Sequence, residues 1–290
     1  MAAKRLHFNE NIRKSKNKIK STWNIINEEK GKHKMETNIK LLKIENKIID
    51  NQEAMAKIFN NYFLNVAKQI NNDNVHYEKN IEPIHYLLNY LTKPTNNIKW
   101  KYVTTNELEK IIKSLNSKNS NGYDGISNKV IKLSTPFVTS PFTHICNEIL
   151  KNGIFLDRLK YAMVRPIYKK GNHQEISNYR PISLLTSFSK VVERIMFNRL
   201  SSHLEISSIL AKEQFGFRPN ASTEQAAYIM TSGVLTALND KLMVGGIFCD
   251  LHKAFDCINH EILIKKIKYY GIQGKFNALI ESYLKGRFQK

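Results

Sequence analysis

Three cysteines in 290 residues, Cys146, Cys249 and Cys257, have neither the even count of a disulfide framework nor zinc-ligand spacing. They read as ordinary buried thiols in a reducing compartment. No run of eighteen apolar residues occurs, and the Lys-rich N-terminus lacks the apolar stretch of a secretory signal. A soluble intracellular protein, nuclear or cytoplasmic and without membrane contact, is expected. No internal repeat is visible, so solenoid architectures fall away. Acidic residues are scarce: 25 Asp and Glu stand against 45 Lys and Arg, a formal charge of +20. That imbalance favours a polyanionic partner over an acidic small molecule, with nucleic acid ahead of an anionic membrane surface.

Hydrophobic residues make up 42% of the chain, enough to build a core. Residues 1–103 are Asn/Lys-rich and read as a basic helical linker region. Within it Met55, Ile58, Phe59, Tyr62, Phe63 and Val66 recur at helical spacing and predict one amphipathic helix over 51–70. The basic run Lys14–Lys20 before Trp23 is either a nucleic-acid contact or a solvated charge run. A compact domain is expected over 104–290. Its first helix starts near Thr105 and is followed by a tight polar loop, Asn121-Gly-Tyr-Asp-Gly-Ile126, and by helices near Lys129–Leu133 and Phe142–Leu150.

Tyr161–Tyr168 and Tyr179–Leu184 predict the two limbs of a hairpin. Arg165, Lys169, Lys170 and Arg180 would crowd that ribbon and repel one another unless phosphate lies nearby; a solvated hairpin is the alternative. Phe188, Val191, Val192, Ile195, Met196 and Leu200 predict a core-facing helix. Ser222-Thr-Glu-Gln225 is a capping-box pattern opening another helix toward Leu238, and Arg218 stands on the corner before it, a place suited to an anion.

Leu242–Cys249 is rich in β-formers and ends in a carboxylate, Asp250. Strand alternation would place Asp250 on one face with Phe248 and Gly246, an open edge suited to a hard cation holding phosphate; the alternative is that Asp250 only begins a turn. Asn259 is expected to cap a helix that ends at Gly271, with Ile258, Ile262 and Ile267 facing the core.

Four blocks then stand in a recognisable order: Asn121-Gly-Tyr-Asp-Gly-Ile126; Arg165-Pro-Ile-Tyr-Lys-Lys-Gly171 leading into Asn178-Tyr-Arg-Pro-Ile-Ser-Leu-Leu185; Gln214-Phe-Gly-Phe-Arg-Pro219; and Phe248-Cys-Asp-Leu-His-Lys-Ala-Phe-Asp256 with Asn259-His260. Together they resemble the reverse transcriptase domain of jockey-like or LINE-like non-LTR retrotransposons, firmly from about Thr104 onward. The resemblance implies an α+β fold: a helix-rich fingers subdomain and the first half of a right-hand polymerase palm, with an incomplete antiparallel sheet. It implies an RNA-directed DNA polymerase whose partners are an RNA template, a DNA primer and deoxynucleoside triphosphates.

By the same resemblance Asp250 is the first metal-binding and catalytic carboxylate. Two Mg²⁺ ions would activate the primer 3′-hydroxyl and stabilise the departing pyrophosphate. Phe255 matches the residue under the incoming sugar, Arg180 the triphosphate clamp, and Lys169, Lys170 and Arg218 further triphosphate or template contacts. Asp256 and Asn259 would give structural support. The chain departs from the family in two ways. Asn121 and Tyr123 flank Gly122 where proline is usual, which predicts a less rigid loop, and no Asp-Asp pair occurs anywhere. The latter predicts a fragment truncated before the paired-aspartate motif and inactive alone, because Mg²⁺ dehydrates reluctantly and one carboxylate holds it poorly. A non-catalytic basic RNA- or single-strand-binding remnant is the alternative.

Overall fold

The computed structural model describes residues 2–15, 17–30, 39, 41–44, 47–73, 89, 96–251 and 253–290. Lys16 in the basic run and His252 in the fourth block lie outside them. The fold is α+β and mostly helical, with two small sheets among the described residues, and divides into two compact units, 1–52 with 167–179, and 53–166 with 180–290.

In the first unit, helices α1 (Ala2–Lys14) and α2 (Lys18–Glu29) are joined by a Lys4–Glu29 ion pair of 2.7 Å. A short antiparallel pair follows, β1 (Leu42–Ile44) and β2 (Lys47–Ile49), and the Lys43 amide donates to the Gln174 carbonyl at 2.9 Å. Segment 167–179 is held by its own polar contacts: the Tyr168 hydroxyl donates to the Gly171 carbonyl and the Tyr179 hydroxyl to the His173 carbonyl.

The second unit carries the main core. Helix α3 (Gln52–Asp73) buries Met55, Phe59 and Val66 from the expected apolar stripe. Helix α4 (Thr105–Ser114) begins at the expected residue, because the Thr104 hydroxyl accepts from the Glu107 amide and so caps it. Ser127 caps α5 (Asn128–Leu133) in the same way. Helix α6 (Thr135–Asn152) is longer than 142–150. Pro136 in its first turn lacks only a donor that would have been orphaned there, and Gly153 ends it at φ +67°. Helix α7 (Ser187–Ile206) then buries Val191, Val192, Ile195 and Met196, the face anticipated from their spacing.

Strands β3 (Tyr161–Tyr168) and β4 (Tyr179–Leu184) occupy the limbs expected of the hairpin. Their sheet has the order β4-β3-β5, with β5 (Phe288–Gln289) running parallel to β3 through Tyr161–Phe288 and Ala162–Gln289. The expected antiparallel sheet is corrected to that extent. Helix α8 (Thr223–Asn239) carries both reciprocal bonds of the Ser222/Gln225 capping box, and α9 (His260–Tyr269) is capped by Asn259, whose side chain accepts from the Glu261 and Ile262 amides. Helix α10 (Gly274–Leu284) inserts Phe276 and Leu279 into the core beside Ile272. The thiols divide: Cys146 is buried, whereas Cys249 is exposed and Cys257 half-exposed, against the expectation that all three are interior. Of the isoleucines assigned to the core near α9, Ile267 packs there, but Ile258 precedes the helix and is 43% exposed; Ile264 takes the buried position.

Candidate active site

Gly122 comes so close to the chain entering α7 that a Cβ there would stand 2.6 Å from the Thr186 nitrogen and 2.8 Å from the Leu185 carbonyl carbon. The Ser187 hydroxyl lies 2.8 Å from Asn128 Oδ1 and 3.0 Å from the Ile126 carbonyl, and Asn128 donates to the Asn116 carbonyl. Where proline would have stiffened this loop, the side chains here bond instead: Tyr123 Oη donates to the Arg158 carbonyl at 2.7 Å and Asn121 Nδ2 to the Gly125 carbonyl at 3.1 Å. Both bonds tie the loop to main-chain carbonyls.

The expected strand over Leu242–Cys249 is not formed. Residues 242–250 are irregular and exposed, Met243, Ile247 and Phe248 almost wholly so. A strand needs ladder partners for its amides and carbonyls, and among the described residues none is offered to this segment. Asp250 is therefore an exposed carboxylate on irregular chain rather than on a sheet edge. The turn beyond it is closed by backbone: the Asp256 amide donates to the Lys253 carbonyl at 3.0 Å while the Asp256 side chain is exposed. Lys253, at φ +47°, directs its ammonium to Tyr62, 3.3 Å from the hydroxyl and 5.2 Å from the ring centre.

The third and fourth sequence blocks do meet. Phe217 and Phe255 touch edge to face with ring centres 5.9 Å apart, although the two side chains are 86% and 75% exposed. Phe217 has φ +59°, an uncommon conformation for a bulky residue. Phe217 is not among the site residues expected from the sequence; its place between Gly216 and Arg218-Pro219, where the chain must turn sharply, is the signal that marks it. Arg218 is committed to internal partners, donating to the Ala211 carbonyl at 3.0 Å and pairing with Glu205 at 3.4 Å. It borders an open cleft of about 810 Å³ shared with Lys212, Ser222 and Tyr228. Arg180 on β4 and Lys169 and Lys170 after β3 are exposed.

The residues around Asp250 do not fit a magnesium pair. Among the described residues no three His, Cys, Asp or Glu side chains converge anywhere, and magnesium requires a near-octahedral set of oxygens. Among the described residues no helix is long and apolar enough to cross a membrane.

Residues 167–290 match the family described as reverse transcriptase (RNA-dependent DNA polymerase). Among curated proteins, the chain is 36% identical over 194 residues to the probable RNA-directed DNA polymerase from transposon BS of Drosophila melanogaster, covering 64% of this chain and 21% of that protein. It is 32% identical over 186 residues to the RNA-directed DNA polymerase from mobile element jockey of Drosophila funebris, covering 64% and 20%. With the probable polymerase of the Drosophila melanogaster X-element it shares 34% over 180 residues, 62% and 20% of the two chains. Over 62–64% of its length the chain is thus similar to the jockey, BS and X-element RNA-directed DNA polymerases, and over 167–290 it matches the reverse transcriptase family. It spans about a fifth of the length of these relatives.

Proposed function

We propose that this chain supplies the fingers and the start of the palm of an RNA-templated DNA polymerase, working on an RNA template, a DNA primer and deoxynucleoside triphosphates. The observation that carries the reading is the contact between Phe217 and Phe255, which joins two of the four ordered blocks on one solvent-facing surface five residues from Asp250. In this reading Phe255 presents a flat apolar face to the incoming sugar and Asp250 is the catalytic carboxylate. Arg180 grips phosphate through its guanidinium fork, with Lys169, Lys170 and Arg218 as further cations and Asp256 and Asn259 holding the turn.

The 290-residue chain is proposed to be inactive alone, since no group of three or more His, Cys, Asp or Glu side chains that could hold a metal forms at Asp250 among the described residues. Primer extension on an RNA template with Mg²⁺ or Mn²⁺ tests this: product that disappears in Asp250→Ala would overturn the proposed inactivity. The exposed Asp250 on irregular chain, together with a charge of +20, also favours a second reading, a non-catalytic RNA or single-strand binder. Binding that weakens steeply with salt and persists in Asp250→Ala supports it.

A further inference from the structure

The exposed sheet face of the second unit carries a cluster that joins Tyr123 and Arg165, from the first two blocks, to aromatic residues outside all four. Tyr161 on β3 and Phe288 on β5 are cross-strand partners whose rings lie nearly parallel, 18° apart, with centres at 5.1 Å. Tyr123, from the polar loop, sets its ring against Tyr161 at 5.6 Å and is fixed by the bond to the Arg158 carbonyl. Although each ring touches another, the three residues stay 45%, 42% and 52% exposed in the order Tyr123, Tyr161, Phe288. Packing between them thus leaves a contiguous strip of ring surface in water.

Side chains alternate along a strand, so Arg165 shares the Tyr161 face of β3 while Ala162 points inward and is 8% exposed. Lys290 continues the ladder beside β3, its amide donating to the Ala162 carbonyl, and stands two residues from Phe288 on the same face. Arg165, Lys290 and Arg158 are all exposed. The acids nearest in sequence are engaged: Asp124 accepts from the Ile126 amide and Asp157 pairs with Lys160 at 3.0 Å. Rings flanked by free cations on an open sheet suit a strand with unpaired bases, since bases stack on the rings and phosphates meet the cations.

We propose that Tyr123, Tyr161 and Phe288 form a stacking platform for the bases of single-stranded nucleic acid, with Arg165 and Lys290 taking its phosphates. This rests on the proposed function only in taking nucleic acid as the ligand; it requires no polymerisation. Fluorescence anisotropy of the full chain with a single-stranded RNA of about 12 nucleotides tests it. Tyr123→Leu/Tyr161→Leu/Phe288→Leu should weaken binding roughly tenfold or more without changing the salt slope, because no cation is lost. Arg165→Gln/Lys290→Gln should instead flatten the salt slope. A matched oligomer of abasic nucleotides, offered to the unaltered chain, should bind about as weakly as RNA binds the triple variant, which keeps the test sound if that variant unfolds. RNA affinity equal to the unaltered chain's in a folded triple variant, or equal affinity for abasic and normal strands, overturns the platform. Failure of the unaltered chain to bind any oligomer overturns the nucleic-acid reading and the platform with it.

Discussion

Replacing Gly122 by alanine should destabilise the second unit more than its place in a short polar loop suggests, because the residue is buried. The added methyl would meet the Thr186 nitrogen at 2.6 Å, the Leu185 carbonyl carbon at 2.8 Å and Thr186 Cα at 2.9 Å. Carbon contacts are optimal near 3.5–4.0 Å, so about 1 Å of backbone must give. The partners are main-chain atoms, and Thr186 is itself the cap of α7, its hydroxyl accepting from the Ser189 amide at 3.1 Å. Nor can the loop swing away without breaking the Ser187, Asn128 and Asn116 contacts. Overpacking of this kind costs about 1–3 kcal/mol and a weakened cap about 1 more. A total near 3 kcal/mol corresponds to a fall in melting temperature of roughly 6–12 °C. Urea unfolding followed by circular dichroism measures it. Gly125→Ala is the control: φ is +70° but nothing lies within 4 Å, so only the left-handed backbone is penalised, by about 1–2 kcal/mol. A Gly122→Ala stability within about 0.5 kcal/mol of the unaltered chain, or a larger loss for Gly125→Ala, would refute the close-approach argument.

Glu193 on α7 gives a pH dependence of unusual sign for an acid. Burial holds its carboxyl above the ordinary range, opposed by hydrogen bonds from Tyr283 and Ser189 and by the Arg287 guanidinium. The folded state then binds the proton more tightly than the unfolded, so this stability is present below the unfolded value near pH 4 and is lost as pH rises through the raised one. Glu193→Gln should remove that decline, and parallel stability–pH profiles for the two proteins would contradict it. Burial also pushes the Cys146 thiol up to about 12. A thiol reagent at neutral pH should therefore modify Cys249 quickly and Cys146 only on unfolding, as mass spectrometry of the labelled peptides would show; prompt native labelling of Cys146 would count against its burial. Arg199 forks onto both Glu107 oxygens at 2.7 Å and donates through Nε to the Lys101 carbonyl at 3.1 Å, tying the segment before α4 to α7. Lysine has no such planar fork, so Arg199→Lys should lower unfolding free energy by about 1–2 kcal/mol, read from the urea midpoint; an unchanged midpoint would show the fork to be dispensable.

Features encoded within a few residues were legible in the sequence. The Ser222 capping box, the Asn259 cap, the stripe on α7 and the limbs of the β3–β4 hairpin each depend on side chains and backbone close along the chain. Helix α10 carries a comparable signal, Phe276, Leu279, Ile280 and Tyr283 at helical spacing. Strand β5 offered almost none. Two residues have no period of their own, and their place beside β3 follows from a pairing more than a hundred residues distant in sequence. The ring platform was hidden for the same reason, since its three aromatics come from a loop and two strands that only the fold assembles.

The segment around Asp250 shows the other side of that distinction. Leu242, Met243, Val244, Ile247 and Phe248 have the composition of a strand, yet all are exposed, as are Tyr228, Ile229, Leu235 and Leu238 on α8. Fully burying such side chains stabilises by about 1.5–3 kcal/mol each, and much of that gain is not realised here. β-Propensity measures how well a side chain fits a half-buried pleated surface, so it becomes structure only where neighbours supply the surface. Helix α8 survives without them because its hydrogen bonds are internal and Ser222 and Gln225 satisfy its first turn. A strand has no internal bonds to fall back on, and the same exposure leaves 242–250 irregular. The position of the Asp250 carboxylate is accordingly a property of whatever pairs with this segment, and the residues of the segment alone do not determine it.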